Sequence, residues 1–335
     1  MANILLTEVC VRSCPYCFAK QYMEGEEDKS SITMENIVMI ADFLERSGSR
    51  RVSLLGGEPL LHPKVGEIIG YFIGRGFDVF MFTSGIMPNG RFEAFVEAME
   101  PLMADEEACK KITFIVNVNE PRFSPKHEFP KVQRFLSTFG SLSTLSFNIY
   151  RVDYDVDFLI DYVLKYGLRR HVRFGIANPI AGAKNEYIHP DDFPVVGASL
   201  ITALARMDEL NITPGFDCGF PLCMFSDDAL GKLYKYTRNG VSFECGAAVD
   251  IGPDLSCWSC FPLSNLHKRS LHDFQDYNEM YAYFISVQEN YRKEVRGIYS
   301  ECDECKHYDR GLCSGGCLAH VINRLHHEGN FRNIM

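Results

Sequence analysis

The chain lacks any apolar run of the roughly 18 residues that a membrane-spanning helix needs, which excludes such a span and any membrane partner. Its first residues, MANILLTEVC, carry neither a basic lead nor a long apolar core, so no secretory signal is read there. Basic residues are the minority, 34 Lys and Arg against 44 Asp and Glu. The net charge of −10 argues against binding through phosphate neutralisation, and no nucleic acid is expected as partner. No Gly-x-Gly-x-x-Gly follows the first strand-like segment, which removes the dinucleotide-binding fingerprint. Only Cys109 lies between Cys17 and Cys218, and no cysteine follows Cys317.

What the chain has is cysteine, 13 in 335 residues. Without an export signal, a cytoplasmic, reducing compartment is expected, where thiols stay free or bind metal rather than pair. Three cluster at Cys10, Cys14 and Cys17, and nine lie from Cys218 to Cys317. This distribution predicts a long scaffold with one metal site at its start (residues 1–210), followed by a smaller region organised by metal (211–335). Cys109 reads as a packing residue.

The scaffold alternates between two periods. Short apolar strands are predicted at 3–7, 52–55, 77–83, 112–118, 142–150 and 172–177. Helices follow each, as at Ile37, Ile40, Ala41 and Leu44, with Gly48 as a stop. Later helices centre on 65–75, 92–99, 132–136 and 158–166, and a longer one covers 192–210. Six βα units imply an α/β fold with a parallel sheet and outer helices, too few for a closed eight-stranded barrel. In such sheets function gathers where strands end.

The first strand leads into Cys10-Val-Arg-Ser-Cys14-Pro-Tyr-Cys17. Three close thiolates suit zinc or an iron–sulfur cluster, but a structural zinc wants a fourth ligand and none lies nearby in sequence. A 4Fe–4S cluster held by three cysteines keeps one iron open. The loop resembles the signature of the radical S-adenosylmethionine (SAM) superfamily. Gly56-Gly57-Glu58-Pro59, after the second strand, is similar to that family's motif for the SAM amino group. Thr83-Ser84-Gly85, after the third, resembles its Thr-Asn-Gly with Ser in place of Asn. By the same resemblance Asn117 lies near the SAM ribose or carboxylate, and Tyr16 near the adenine. The resemblance implies a partial (β/α)6 barrel in which SAM is reductively cleaved to a 5′-deoxyadenosyl radical that abstracts hydrogen from a substrate. Glycines at 56 and 57 would let backbone approach SAM.

Past residue 210 come Cys218, Cys223, Cys245, Cys257 and Cys260, then Cys302-x2-Cys305-x7-Cys313-x3-Cys317. This resembles the SPASM extension, which carries auxiliary 4Fe–4S clusters, with Leu255 in place of a glycine, x7 in place of x5, and the last cysteine absent. The resemblance puts Cys245, Cys260 and Cys317 on one cluster, with Cys223 or Cys218 as the fourth ligand. Cys302, Cys305 and Cys313 would hold a second, completed by Cys257, Cys218, His320 or nothing. The alternative is a zinc ribbon from Cys257/Cys260 and Cys302/Cys305. Such relatives modify peptide or protein side chains by oxidation, crosslinking or epimerisation. Others dehydrogenate or rearrange a small metabolite such as a sugar or aminocyclitol. A non-catalytic iron–sulfur or zinc scaffold is the third reading. An electron donor such as flavodoxin or ferredoxin is implied. Because the chain opens almost at the cysteine loop, a separate leader-recognition protein is expected if the substrate is a ribosomal peptide.

Overall fold

The computed structural model describes residues 2–19 and 30–327. Among the described residues, seven strands run parallel and adjacent in chain order: β1 (Ala2–Leu5), β2 (Arg51–Leu55), β3 (Asp78–Thr83), β4 (Ile112–Asn117), β5 (Ser143–Ile149), β6 (His171–Ile176) and β7 (Thr213–Phe216). Between them run α1 (Met34–Arg46), α2 (Val65–Gly74), α3 (Asn89–Met103), α4 (Glu106–Lys111), α5 (Phe129–Phe139), α6 (Asp157–Lys165) and α7 (Phe193–Glu209). The expected α/β body is present, with the six βα units in their predicted places.

Each element forms for a local reason. Thr33 caps α1 by accepting from Asn36 N at 3.2 Å, and Gly48, at φ +72°, takes the left-handed turn that ends it. Strand residues alternate: Val79, Met81 and Thr83 of β3 are buried under the helices, while Asp78, Phe80 and Phe82 face the inner side, half-buried. The helix side of the sheet holds the core, where Phe92, Phe95, Phe114, Phe135 and Phe139 meet with ring centroids 5.0–6.2 Å apart. Burying each such ring contributes about 1.5–3 kcal/mol.

The cysteine-rich segment departs from a simple appendage. β7 adds to one edge of the sheet beyond β6. At the other edge β8 (Val249–Ile251) pairs parallel with β1, followed by antiparallel β9 (Ser256–Trp258) and β10 (Arg269–Ser270). The segment from 211 to 270 therefore covers both open edges of the sheet. That segment holds α8 (Asp227–Tyr236), and α9 (Tyr277–Glu294), the short α10 (Lys306–Asp309) and α11 (Leu318–His327) follow it. Among the described residues no helix is long and apolar enough to cross a membrane.

Candidate functional site

Cys10, Cys14 and Cys17 lie half-buried on the loop that leaves β1. A turn closes where Cys17 N donates to Cys14 O at 3.1 Å. Two donors point at sulfur: Arg12 N reaches Cys10 Sγ at 3.5 Å and Asn119 Nδ2 reaches Cys14 Sγ at 3.8 Å. Leu5, Ala19, Trp258 and Phe261 form an apolar cluster against Cys10 and Cys17. Burial pushes the Cys10 thiol up to about 11. The loop is anchored by Arg12, whose Nε bonds Glu128 Oε2 at 2.8 Å and whose Nη1 donates to Asn117 O at 2.9 Å. Both side chains of that ion pair are under a tenth exposed, so removing one partner would cost about 3–5 kcal/mol.

Behind the loop lies one hydrogen-bonded knot. Gly57 N donates to Thr7 O at 2.7 Å and Glu58 N to Val9 O at 2.8 Å, tying β2's end to β1's. A Cβ on Gly56 would stand 2.6 Å from Thr7 O, so glycine there is required by the chain's own close crossing. Glu58 is buried and accepts from Thr83 Oγ1 (2.5 Å), Leu60 N (3.2 Å), Ser84 N (2.8 Å) and the Ser84 hydroxyl. Burial raises its pKa, opposed by these four donors. Pro59 begins a 3-10 turn, residues Pro59–Leu61, under the same carboxylate. Gly56, Gly57, Glu58, Pro59, Thr83 and Ser84 are thus brought together at two adjacent strand ends.

Tyr16 lies with its ring 4.7 Å from Tyr150 and its hydroxyl donating to Asn119 Oδ1. Burial, followed by the neighbouring Cys14, raises its pKa well above the ordinary range. Asn117, half-buried at the end of β4, contributes its carbonyl to Arg12. Spacing alone singled out none of Arg12, Glu128, Asn119 and Tyr150. The last two do follow strand ends, where such residues are sought.

The inner face of the sheet is polar. In register across β4, β5 and β6 lie Asn117, Ser146 and Arg173. The Arg173 guanidinium covers the Phe82 ring at 4.8 Å and bonds Asp217, whose Oδ1 also accepts from Cys218 N at 3.2 Å. An aromatic ring, a cation and a carboxylate therefore share the wall beside a cysteine.

Eight of the ten remaining thiols fall into two groups of four. Cys245 and Cys317 are hydrogen-bonded, and Cys260 and Cys218 act on them electrostatically. Cys223, Cys302, Cys305 and Cys313 line one small cavity, with His307 and Tyr308. Of the two upstream cysteines, Cys218 therefore lies nearer the first group, and Cys223 lies with the second. Cys257 stands apart from both. It is fully buried in β9, its thiol bonded to Leu255 O at 3.6 Å and pushed up to about 12 by burial. His320 is also apart, edge-on to Tyr187 (5.3 Å) and Phe193 (6.0 Å), and burial pushes its imidazole down to about 3, so it stays neutral. The zinc ribbon is not formed, because Cys257, Cys260 and the Cys302/Cys305 pair occupy three separate places. Among the described residues no three Cys, His, Asp or Glu side chains converge tightly enough to grip a single metal ion. Leu255, where the resemblance wants glycine, has φ +63°, so the backbone keeps the left-handed turn despite the side chain. Cys109 packs with its thiol toward Leu102 O and Met103 O, as expected.

Residues 4–122, which span the cysteine loop, the knot and Asn117, match the profile of the Radical SAM superfamily. Residues 4–122 form a Radical SAM domain. A probable GTP 3′,8-cyclase of Methanocella arvoryzae is 36% identical over 97 residues, 29% of this chain and 30% of that protein. An S-adenosylmethionine-dependent nucleotide dehydratase of Selenomonas ruminantium is 32% identical over 101 residues, 28% of this chain and 35% of that protein. The chain spans about a third of the curated relatives it matches. Two solved structures share its fold across nearly all its length. Streptococcus suis SuiB bound to S-adenosylmethionine has TM-score 0.67 and 13% identity, covering 96% of this chain and 73% of SuiB. The anSMEcpe structure with bound AdoMet has TM-score 0.63 and 14% identity, covering 95% and 85%.

Proposed function

We propose that this radical SAM enzyme cleaves SAM at the Cys10/Cys14/Cys17 loop and oxidises or crosslinks a side chain of a peptide or protein. On this reading the C-terminal third is a SPASM-like region holding two auxiliary 4Fe–4S clusters. The carrying observation is the pair of complete four-thiol groups, added to a loop that offers only three thiols. The donor sets fit: sulfur-directed N–H groups and an apolar wall surround the loop, and each group of four supplies a full set of thiolates. Bound there, SAM and a 4Fe–4S cluster supply a 5′-deoxyadenosyl radical able to take hydrogen from an unactivated C–H bond.

The chain's own residues then have separable tasks. The Glu58 knot fixes the strand ends that face SAM, and Leu5, Trp258 and Phe261 keep water from the loop. Arg173, Phe82 and Asp217 line the inner wall where substrate would lie. Removing one hydrogen atom leaves a substrate radical that must lose a further electron for a two-electron oxidation, and a cluster held by a four-thiol group would give that electron a destination. An electron donor of the flavodoxin or ferredoxin class and a separate leader-binding protein complete the expected partners. The peptide reading draws support from SuiB, solved with precursor peptide SuiA, and anSMEcpe, solved with the Cp18Cys peptide.

A small-metabolite substrate is the second reading. Arg173 stacked on Phe82 suits a compact anionic or nucleotide-like molecule, and the sequence relatives are a probable GTP cyclase and a nucleotide dehydratase. Anaerobic incubation with SAM and dithionite tests the shared chemistry: 5′-deoxyadenosine should form, and the Cys10/Cys14/Cys17→Ala protein should form none. Iron near about twelve per chain is expected for three clusters. Mass spectrometry of candidate peptides, read for loss of two hydrogens, then separates the two substrate classes.

A further inference from the structure

Helix α9 turns one face toward the first thiol group. Gln288 is buried and donates from Nε2 to Ser259 Oγ at 2.7 Å, next to Cys260. One helical turn on, at i+4, Arg292 donates through Nη2 to Gly316 O at 2.8 Å, next to Cys317. Its Nη1 donates to Arg296 O at 3.1 Å. The same guanidinium lies beside the Cys245 thiol, and both residues line one open groove with Gln288, Glu289 and Lys293. One helix face thus contacts the neighbours of Cys260 and Cys317 and lies against Cys245, and its Arg292 is held by two carbonyls with N–H protons left for sulfur.

We propose that Arg292 is a positioning residue that sets the reduction potential of the first auxiliary cluster. This rests on reading Cys218, Cys245, Cys260 and Cys317 as a cluster site. A guanidinium keeps its charge at every working pH. A cluster gains one negative charge on reduction, so a fixed cation beside a ligand sulfur favours the reduced form and raises the potential. Arg173 also acts on this group, at Cys218, but its charge is already matched by Asp217. Water entering the groove screens Arg292 in part, which limits the expected effect to about tenfold in the reduction equilibrium, or about 59 mV for one electron. The function that follows is an electron sink: the higher the potential, the more readily this site takes an electron from an oxidised substrate radical.

The test uses the Cys10/Cys14/Cys17→Ala background, in which only auxiliary signals remain, with residue 292 as Arg, Lys or Met. Iron is counted, and the midpoint is read by EPR-monitored titration. The Arg292→Met protein is expected to hold the parent's iron and to titrate about 59 mV lower, with Arg292→Lys recovering at least half of that. Full iron with an unmoved midpoint overturns the proposal, as does a Lys variant no higher than Met. Should Met lose iron, guanidino-15N-arginine labelling decides: a 15N coupling on the reduced signal, lost in the Lys variant, upholds the contact, and no such coupling overturns it. Fewer than about eight irons in the parent would instead sink the two-cluster reading, a different failure from an unmoved midpoint.

Discussion

Glu58→Gln is the smallest change that disables the knot behind the cysteine loop. The two backbone donors settle its consequence: Leu60 N bonds Oε1 and Ser84 N bonds Oε2. A glutamine offers one oxygen, so whichever way the amide flips, one fixed N–H faces its NH2 group. The Thr83 and Ser84 hydroxyls can rotate to donate elsewhere, but the amides cannot. Leaving one buried N–H unpaired costs about 1–3 kcal/mol. The strain falls on the strand ends carrying Gly57 and Ser84, so SAM affinity should drop at least tenfold while the iron held by the loop is retained. Thermal unfolding of wild-type and variant proteins, with equilibrium SAM binding and iron content, reads both effects. Because the buried carboxyl titrates above its unfolded value, its ionisation works against folding as pH rises, so the wild-type advantage over Gln should shrink toward alkaline pH. An equally stable variant with unchanged SAM affinity would refute the geometry on which this rests.

Cys223→Ala should lose one cluster's iron, about four of about twelve, whereas Cys257→Ala should lose none; equal losses in elemental analysis would undo the grouping of the thiols. Arg12→Met should lower stability by about 3–5 kcal/mol by stranding Glu128, and iron should leave the first loop before the others, followed by absorbance on denaturant titration. Asp250 is buried, accepts from Asn3 Nδ2 at 2.7 Å, and burial raises it to about 8. Its folded pKa exceeds its unfolded one, so its contribution to stability is lost as pH rises from about 4 to about 8, at up to about 1.36 kcal/mol per pH unit. Asp250→Asn should flatten that slope in urea titrations at pH 5 to 8, and an unchanged slope would assign the proton elsewhere.

Sequence reading located the βα units because their periods are long and unbroken, and it located the knot because Gly56–Gly57–Glu58–Pro59 and Thr83–Ser84–Gly85 sit at strand ends. It did not find Arg12 with Glu128, since a buried ion pair 116 residues apart leaves no local pattern. Nor could it divide Cys218 from Cys223: spacing states how far apart two thiols lie along the chain, whereas the turn through Gly219 and Pro221 leaves Cys218 beside Asp217 and sends Cys223 into the cavity with Cys302, Cys305 and Cys313. Strand β8 is three residues long and borders Gly252 and Pro253, so it reads as loop until it is seen beside β1. Helix α8, capped by Ser226 on Ala229 N at 3.3 Å, lay unread among the same cysteines. Cys257 shows the reverse error, a C-x2-C pair in which one thiol serves only the core.

The pairing of β8 with β1 has a consequence for biogenesis. Ala2, Asn3 and Ile4 lie opposite Val249, Asp250 and Ile251, at a chain separation near the largest this molecule offers. Contacts of that range form late, because closing so wide a loop is entropically slow. During synthesis the first strand emerges early, yet it lacks one neighbour until three quarters of the polypeptide has followed. The loop bearing the first three thiols therefore stays half-framed through most of translation. A metal site on that loop would be fully framed only once β8 has docked against β1.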